Sequence, residues 1–429
     1  MLDIRYIRNN PEIVKEGSKN KGVDLDIDRL LEIEEKRRSL LQEIEEARAK
    51  KNRANEEIKK AGEEEREKII AEMKQVDEAE GKLQAEFKEL DREFKKIMSS
   101  IPNIPFETVP IGKDDSENIV LREEGEKKEF NFEPKDYLDI AEGLDIIDVK
   151  RAAKVSGSRF GYLKNEAALL EFALIKLAMD LVVEKGFVPV VPPVMIFPEM
   201  MEKMGHIEEN LDDKENRWLG EEVYFLKDDP LLLVGTSEQS IGPMHAGEVF
   251  NPEELPKRYV GFSTCFRREA GSYGKDTKGI LRVHQFDKIE MFSFCLPDDS
   301  KKEHQLLLSI EEELMRKLKL PYRVIDICTG DLGAPAASKY DIEAWMPGQG
   351  QYRETHSTSN CTDYQSRRLD IRYKKEDGKN EFVHMLNGTA LAIGRILIAI
   401  IENYQREDGS VEIPEVLTSY LNKGEIRRR

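Results

Sequence analysis

A chain of 429 residues is too long for one ordinary hydrophobic core, so at least two domains are expected. Charged residues make up 35% of it, and no apolar run reaches the roughly 20 residues of a membrane span, so no membrane association is expected. A net charge of −18 excludes a broad nonspecific nucleic-acid binder and argues against DNA as a partner, because such proteins carry a basic surface; any nucleic-acid contact must be local.

The first eight residues, Met1 to Arg8, mix acidic and basic side chains where a secretory signal would need a continuous apolar stretch, so a cytoplasmic location is expected. The four cysteines, Cys265, Cys295, Cys328 and Cys361, form no C-x-x-C pair, which disfavours both a zinc site and a disulfide framework.

Between Asp28 and Ser100 there is no proline, and glycine occurs only at Gly62 and Gly81; Glu, Lys, Arg, Ala and Leu dominate, a composition that favours long helices. Leu30, Ile33, Leu40, Ile44, Ala47, Ala54, Ile58 and Ala61 recur at heptad spacing, and Ile69, Met73, Val76, Leu83, Phe87, Leu90, Phe94 and Ile97 repeat the pattern. The break from Gly62 to Glu67 supplies a reversal, so an antiparallel helical hairpin is predicted, each arm about 50 Å long. Near its tip Arg48, Lys50, Lys51, Arg53, Lys59 and Lys60 cluster, which suits a phosphate backbone. Taken alone, the same segment also reads as a dimerising or spacer coiled coil with solvated charges.

Pro102, Pro105 and Pro110 end the helices, and an acidic stretch read as irregular runs to Pro134. The expected organisation is therefore an N-terminal domain over 1–100, a linker over 101–135 and a body over 136–429. A helix is predicted from Leu169 to Val183, then an extended edge from Gly186 to Pro193, with strands at Tyr259–Phe262, Lys288–Phe294 and Tyr322–Cys328. The predicted body is α+β on an antiparallel sheet flanked by helices. Neither G-x-G-x-x-G nor G-x-x-x-x-G-K-[ST] occurs, so neither common nucleotide-binding loop is present.

The residues richest in chemistry run from Cys265 to Gly274 and return from Leu281 to Glu290, read as two strands joined by a loop. Alternation places Arg282, His284, Phe286 and Glu290 on one face. Arg267 and Arg282 can donate forked hydrogen bonds to phosphate oxygens, Phe286 can stack on a base, and Glu269 can accept from an exocyclic amine.

This Phe-Arg-x-Glu strand with its returning Arg-Val-His-Gln-Phe resembles the second motif of the class II aminoacyl-tRNA synthetases, in the wording of the seryl-tRNA synthetase family. Gly186 to Pro193 resembles the first motif, which builds a homodimer interface, and His384 to Arg395 resembles the third. Gly235-Thr236-Ser237-Glu238 resembles the serine loop, and Arg353 to Asn360 the strand that meets ATP and metal. The segments at 239–245 and 355–356 depart from the family wording, so a pocket rim of different shape is expected there.

The resemblance implies a serine–tRNA ligase that forms seryl-adenylate from ATP and L-serine and then charges tRNA(Ser), with tRNA(Sec) as a further candidate. Arg267, Arg282 and Arg395 would be the catalytic cations, and Arg267, Arg268, Glu269, Arg282, Val283, Phe286, Glu354, Thr355, His356, Ser357 and Arg395 would meet ATP. Thr236, Ser237, Glu238, Glu290, Asn387 and Thr389 would hold L-serine, and Glu354 with Ser357 would ligate Mg2+. The basic hairpin tip would meet the tRNA of the partner subunit in a homodimer. Two other readings stand beside this one: a synthetase-like amino acid:carrier-protein ligase, and a coiled-coil scaffold on a catalytically dead body.

Overall fold

The computed structural model describes residues 1–210, 218–270 and 278–428; the motif-two loop at Gly271 to Gly274 lies outside the described residues. The chain divides into two compact units, one over Met1–Pro102 and one that begins at Asn103.

In the first unit two short helices, Ile4–Asn9 and Pro11–Asn20, precede helices Ile27–Ile58 and Glu63–Ser100, of 32 and 38 residues. Asp26 starts the outgoing helix by accepting from the Arg29 amide with its side chain, satisfying one of the orphan donors of the first turn. Leu30, Ile33, Leu40, Ile44 and Ala54 are buried along the predicted seam. The reversal occupies residues 59–62, just before the predicted break, because Arg66 donates to the Ile58 carbonyl and holds the turn closed there. One seam feature escapes the heptad pattern: Glu80 is buried, held by Arg48 at 3.3 Å, Lys51 at 2.7 Å and Gln84 at 2.6 Å.

The second unit is built on an eight-stranded sheet. In spatial order its strands are Ile119–Glu124, Tyr322–Asp326, Ser338–Met346, Gln351–Asn360, His384–Ala392, Gln285–Cys295, Lys257–Phe266 and Val188–Val190. Every neighbouring pair is antiparallel except the last. Helices Asn165–Glu184, Ser300–Lys317 and Ile393–Asn403 bury the apolar residues of one face, including Ile289, Met291, Leu386 and Leu391. Alternation gives the opposite face a polar stretch around Lys288 and Glu290, beyond which Phe292, Phe294 and Met385 join a second apolar cluster.

Two expectations change. Residues 119–124, read from their charge as irregular, form the edge strand of the main sheet; cross-strand hydrogen bonds to Tyr322–Asp326 outweigh the weak strand propensity of Glu and Arg. The returning strand starts at Gln285, so Arg282 and His284 precede it and do not share the alternation of Phe286 and Glu290. Among the described residues no helix is long and apolar enough to cross a membrane.

Candidate active site

On the polar face of the sheet lies a cavity of about 750 Å³, walled by the central strands and by the segments 235–239, 280–283 and 332–336. It is open enough for a nucleotide and an amino acid side by side, since ligand sites usually span about 300–1,000 Å³.

At one end Glu290 is 1% exposed. Its Oε2 accepts from Thr236 Oγ1 at 3.1 Å and Thr389 Oγ1 at 3.3 Å, with Lys288 Nζ at 2.9 Å. Burial raises the Glu290 carboxyl above the usual carboxylate range, and Lys288 offsets part of that rise. Burial works against ionisation of Glu238 as well, but His206, at 3.0 Å from Oε1, together with the charges of Lys288 and Arg267, outweighs it and holds the acid below its usual range. Asn387 completes this end, its amide 3.8 Å from Cys361 Sγ. The Cα of Gly261 lets the segment from Ser237 to Ile241 pack close, because a Cβ there would stand 2.6 Å from Ile241 Cδ1 and 2.9 Å from Ser237 Oγ.

At the other end three guanidinium groups converge. Arg267 lies over the Phe286 ring at 5.3 Å and donates to the Gly235 carbonyl. Arg282 Nη1 donates to Glu269 Oε2 at 2.8 Å. Glu269 itself adopts a left-handed backbone with φ of 51°, held by the Glu222 carboxylate, which accepts from the amides of Glu269 and Ala270 at 2.9 Å each. A non-glycine residue there is uncommon, and the paired amide bonds supply the restraint. Arg395 donates to the Glu354 carbonyl at 2.9 Å and lies 3.2 Å from its carboxylate. Burial opposes ionisation of Glu354, but Arg395, Lys339 and Arg267 overcome it and bring its pKa down to about 2.

The cavity thus gathers Thr236, Glu238, Glu290, Asn387 and Thr389 at one end, and Arg267, Glu269, Arg282, Val283, Phe286, Glu354, Thr355, Ser357 and Arg395 toward the other. Four of the residues singled out from sequence lie off its wall. Ser237 is fully buried and donates to the Gly261 carbonyl, supporting the loop from behind. His356 faces the core side of its strand, hydrogen-bonded to Thr355, and Arg268 is exposed with its amide on the Glu222 carbonyl. His284, expected on the pocket face, packs against Phe160 and Tyr224.

Lys288, Lys339, His206, Glu222 and Gln239 also line the cavity and carry no sequence motif of their own. Lys288 had a readable signal, since it alternates with Phe286 and Glu290. His206 and Lys339 had none, because they enter from segments distant in sequence.

For a metal, Glu354 and Ser357 offer two oxygen donors beside open cavity. No group of three His, Cys, Asp or Glu residues able to hold a metal occurs among the described residues. Hard oxygen donors in small number fit a divalent ion that keeps water and phosphate in its shell.

Residues 1–105 match the family model of the seryl-tRNA synthetase N-terminal domain, and residues 224–404 match that of the class II core domain of the G, H, P, S and T synthetases. The serine–tRNA ligase of Dictyoglomus turgidum is 46% identical over 430 residues, covering 100% of this chain and 99% of the relative. The seryl-tRNA synthetase of Pyrococcus horikoshii, solved with ATP, superposes with a TM-score of 0.89 at 41% identity and covers 100% of both chains. The cytoplasmic serine–tRNA ligase of Naegleria fowleri, solved with AMP, gives 0.85 at 32% identity, covering 100% of this chain and 99% of that one. The chain therefore belongs to the seryl-tRNA synthetase family of class II ligases.

Proposed function

We propose that the cavity activates L-serine with ATP and then esterifies it to the terminal ribose of tRNA(Ser), and that tRNA(Sec) is accepted as well. The observation that carries this reading is the division of one cavity into a buried carboxylate–hydroxyl end and a guanidinium end. The serine carboxylate attacks the α-phosphorus in line, the bond to the β-phosphate breaks, and pyrophosphate leaves. No side chain need move a proton in this step, so catalysis rests on positioning and charge neutralisation.

Arg267 takes the α-phosphate, Arg282 and Arg395 the β and γ groups, and Phe286 with Glu269 the adenine. Val283 and Thr355 contribute wall surface to the nucleotide. Glu354 and Ser357 would hold Mg2+, which when bound would neutralise polyphosphate charge. Thr236 and Glu238 receive the ammonium. Glu290, with Oε2 already saturated by three donors, has Oε1 left for the serine hydroxyl, assisted by Thr389 and Asn387. A site built to pair a hydroxyl rejects alanine strongly, whereas exclusion of threonine must come from wall shape.

The hairpin is assigned to the tRNA. Of its basic cluster, Lys51 is tied to Asp77 and Glu80, Arg48 to Glu80 and Lys59 to Glu56, and every member except the half-buried Lys51 is exposed. A homodimer is supported by the exposed apolar side chains Leu169, Phe172, Val188, Val191 and Phe197. The cytoplasm is the expected compartment, and the N-terminal domain match favours tRNA over a carrier protein as acceptor.

Pyrophosphate exchange with each of the twenty amino acids, followed by charging of total tRNA, tests the proposal. Serine-dependent exchange with charging is expected. Exchange without charging would favour the carrier-protein ligase, and no exchange would favour the inactive scaffold.

A further inference from the structure

The helix Pro198–Met204 ends at Gly205, whose left-handed φ of 85° lets its amide return to the Glu202 carbonyl and the next amide to Met201. A left-handed C-terminal cap of this kind fixes the direction in which the following residue leaves the helix. Here that residue is His206. The cap is itself anchored, because Gln365 Nε2 donates to the Met204 carbonyl at 3.1 Å and Met201 and Met204 are fully buried. A Cβ at Gly205 would meet Pro335 at 3.2 Å and Tyr364 at 3.3 Å, so the turn is closely packed as well.

The imidazole reaches the cavity wall with Nε2 at 3.0 Å from Glu238 Oε1. Glu238 is buried, and no other side chain is placed to hydrogen-bond its carboxylate in the described structure. A carboxylate removed from water without a donor is costly, and one held by a single donor takes its orientation from that donor. The neighbouring acid Glu290, on the strand Gln285–Cys295, is likewise held through one oxygen, to which Lys288 and two threonine hydroxyls are committed. Each carboxylate at the amino-acid end is therefore pinned through one oxygen and keeps the other for a ligand.

We propose that His206 is a positioning residue for amino-acid recognition, holding Glu238 so that its free oxygen receives the substrate ammonium. The inference rests on the reading of Glu238 as the ammonium's partner, and it assigns no contact between His206 and substrate. Its effect falls on serine and not on ATP, because the imidazole acts at the carboxylate end of the cavity.

The test is pyrophosphate exchange by the purified full-length protein, with KM for serine and for ATP measured separately for H206A, H206N and H206Q. The amide nitrogen of glutamine reaches as far along its side chain as Nε2 of histidine, whereas that of asparagine stops near Nδ1. H206A and H206N are expected to raise KM for serine on the order of tenfold or more. KM for ATP should stay within about twofold, and H206Q should recover most of the loss. Because H206N and H206Q differ by one methylene, their contrast answers the question even if H206A folds poorly. An unchanged serine KM in H206N, an equal rise for both substrates, or no recovery in H206Q overturns the role of His206. Absence of serine-dependent exchange in the unsubstituted protein would instead overturn the reading of the site itself.

Discussion

Glu354 and Ser357 stand three positions apart on one strand yet line the same cavity wall. Strict alternation would send them to opposite faces. The register explains it: Ile342 pairs with His356 and Glu343 with Glu354, so Thr355 is an extra residue, a β-bulge that returns Glu354 to the face of Ser357. Bulges of this kind re-aim side chains beside functional sites, and here one brings the two oxygen donors together.

The first prediction concerns those donors. S357A and E354Q should each raise the Mg2+ concentration needed for half-maximal exchange by about tenfold, with E354Q the more severe because it also removes the charge facing Arg395. Titration of exchange against Mg2+ at saturating ATP and serine measures this. Equal metal dependence in both variants and the parent would remove these two residues from the metal site.

Asp341 gives a pH-dependent expectation. Burial pushes its carboxyl up to about 7 against partial relief from Lys339, while Glu354 adds repulsion. In the unfolded chain an aspartate titrates near about 3.9. Folding therefore favours the protonated form, and the associated stability is complete below the unfolded value and lost as pH rises through about 7. D341N lacks this loss. Its melting temperature relative to the parent should climb between about pH 4 and 7 and then level off. A gap that stays constant across that range would contradict the assignment.

In the hairpin, exposed Lys50, Arg53 and Lys60 should behave differently from Lys51, which is held on buried Glu80. Charge reversal at Lys50, Arg53 or Lys60 should raise KM for tRNA, reduce the salt dependence of tRNA binding by about one ion per site, and leave exchange without tRNA unchanged. Removing Lys51, by contrast, should lower the melting temperature of the hairpin, because it leaves buried Glu80 with a weaker set of partners. Filter binding at several salt concentrations and thermal denaturation separate the two classes.

The pair Lys288–Glu290 sits on the sheet with Glu290 only 1% exposed. K288M leaves that acid without its counter-charge, and breaking a buried pair from one side costs about 3 kcal/mol or more. Denaturant unfolding should register the loss. E290Q breaks the same pair from the other side and leaves buried Lys288 without its counter-charge, so it should lose stability as well and in addition show a raised KM for serine. Comparable unfolding of K288M and the parent would mean that the hydroxyls alone satisfy the acid.

What was legible in sequence followed from periodicity and local chemistry. Heptad spacing without proline gave the hairpin, since helix formation depends on residues three and four apart. Apolar β-branched runs marked strands at 259–262 and 288–294, within the observed Lys257–Phe266 and Gln285–Cys295, and the Phe-Arg-x-Glu wording pointed to the arginines that line the cavity. What the tertiary structure decided was set by partners remote in the chain. Residues 119–124 are a strand only because Tyr322–Asp326 lies alongside them, and His206 meets Glu238 only because a glycine cap and the packing of Gln365 aim it there. Glu354 faces Ser357 through a bulge that only strand pairing reveals. Local pattern fixes which face a residue can show, whereas the identity of what it faces depends on contacts between segments that sequence spacing does not encode.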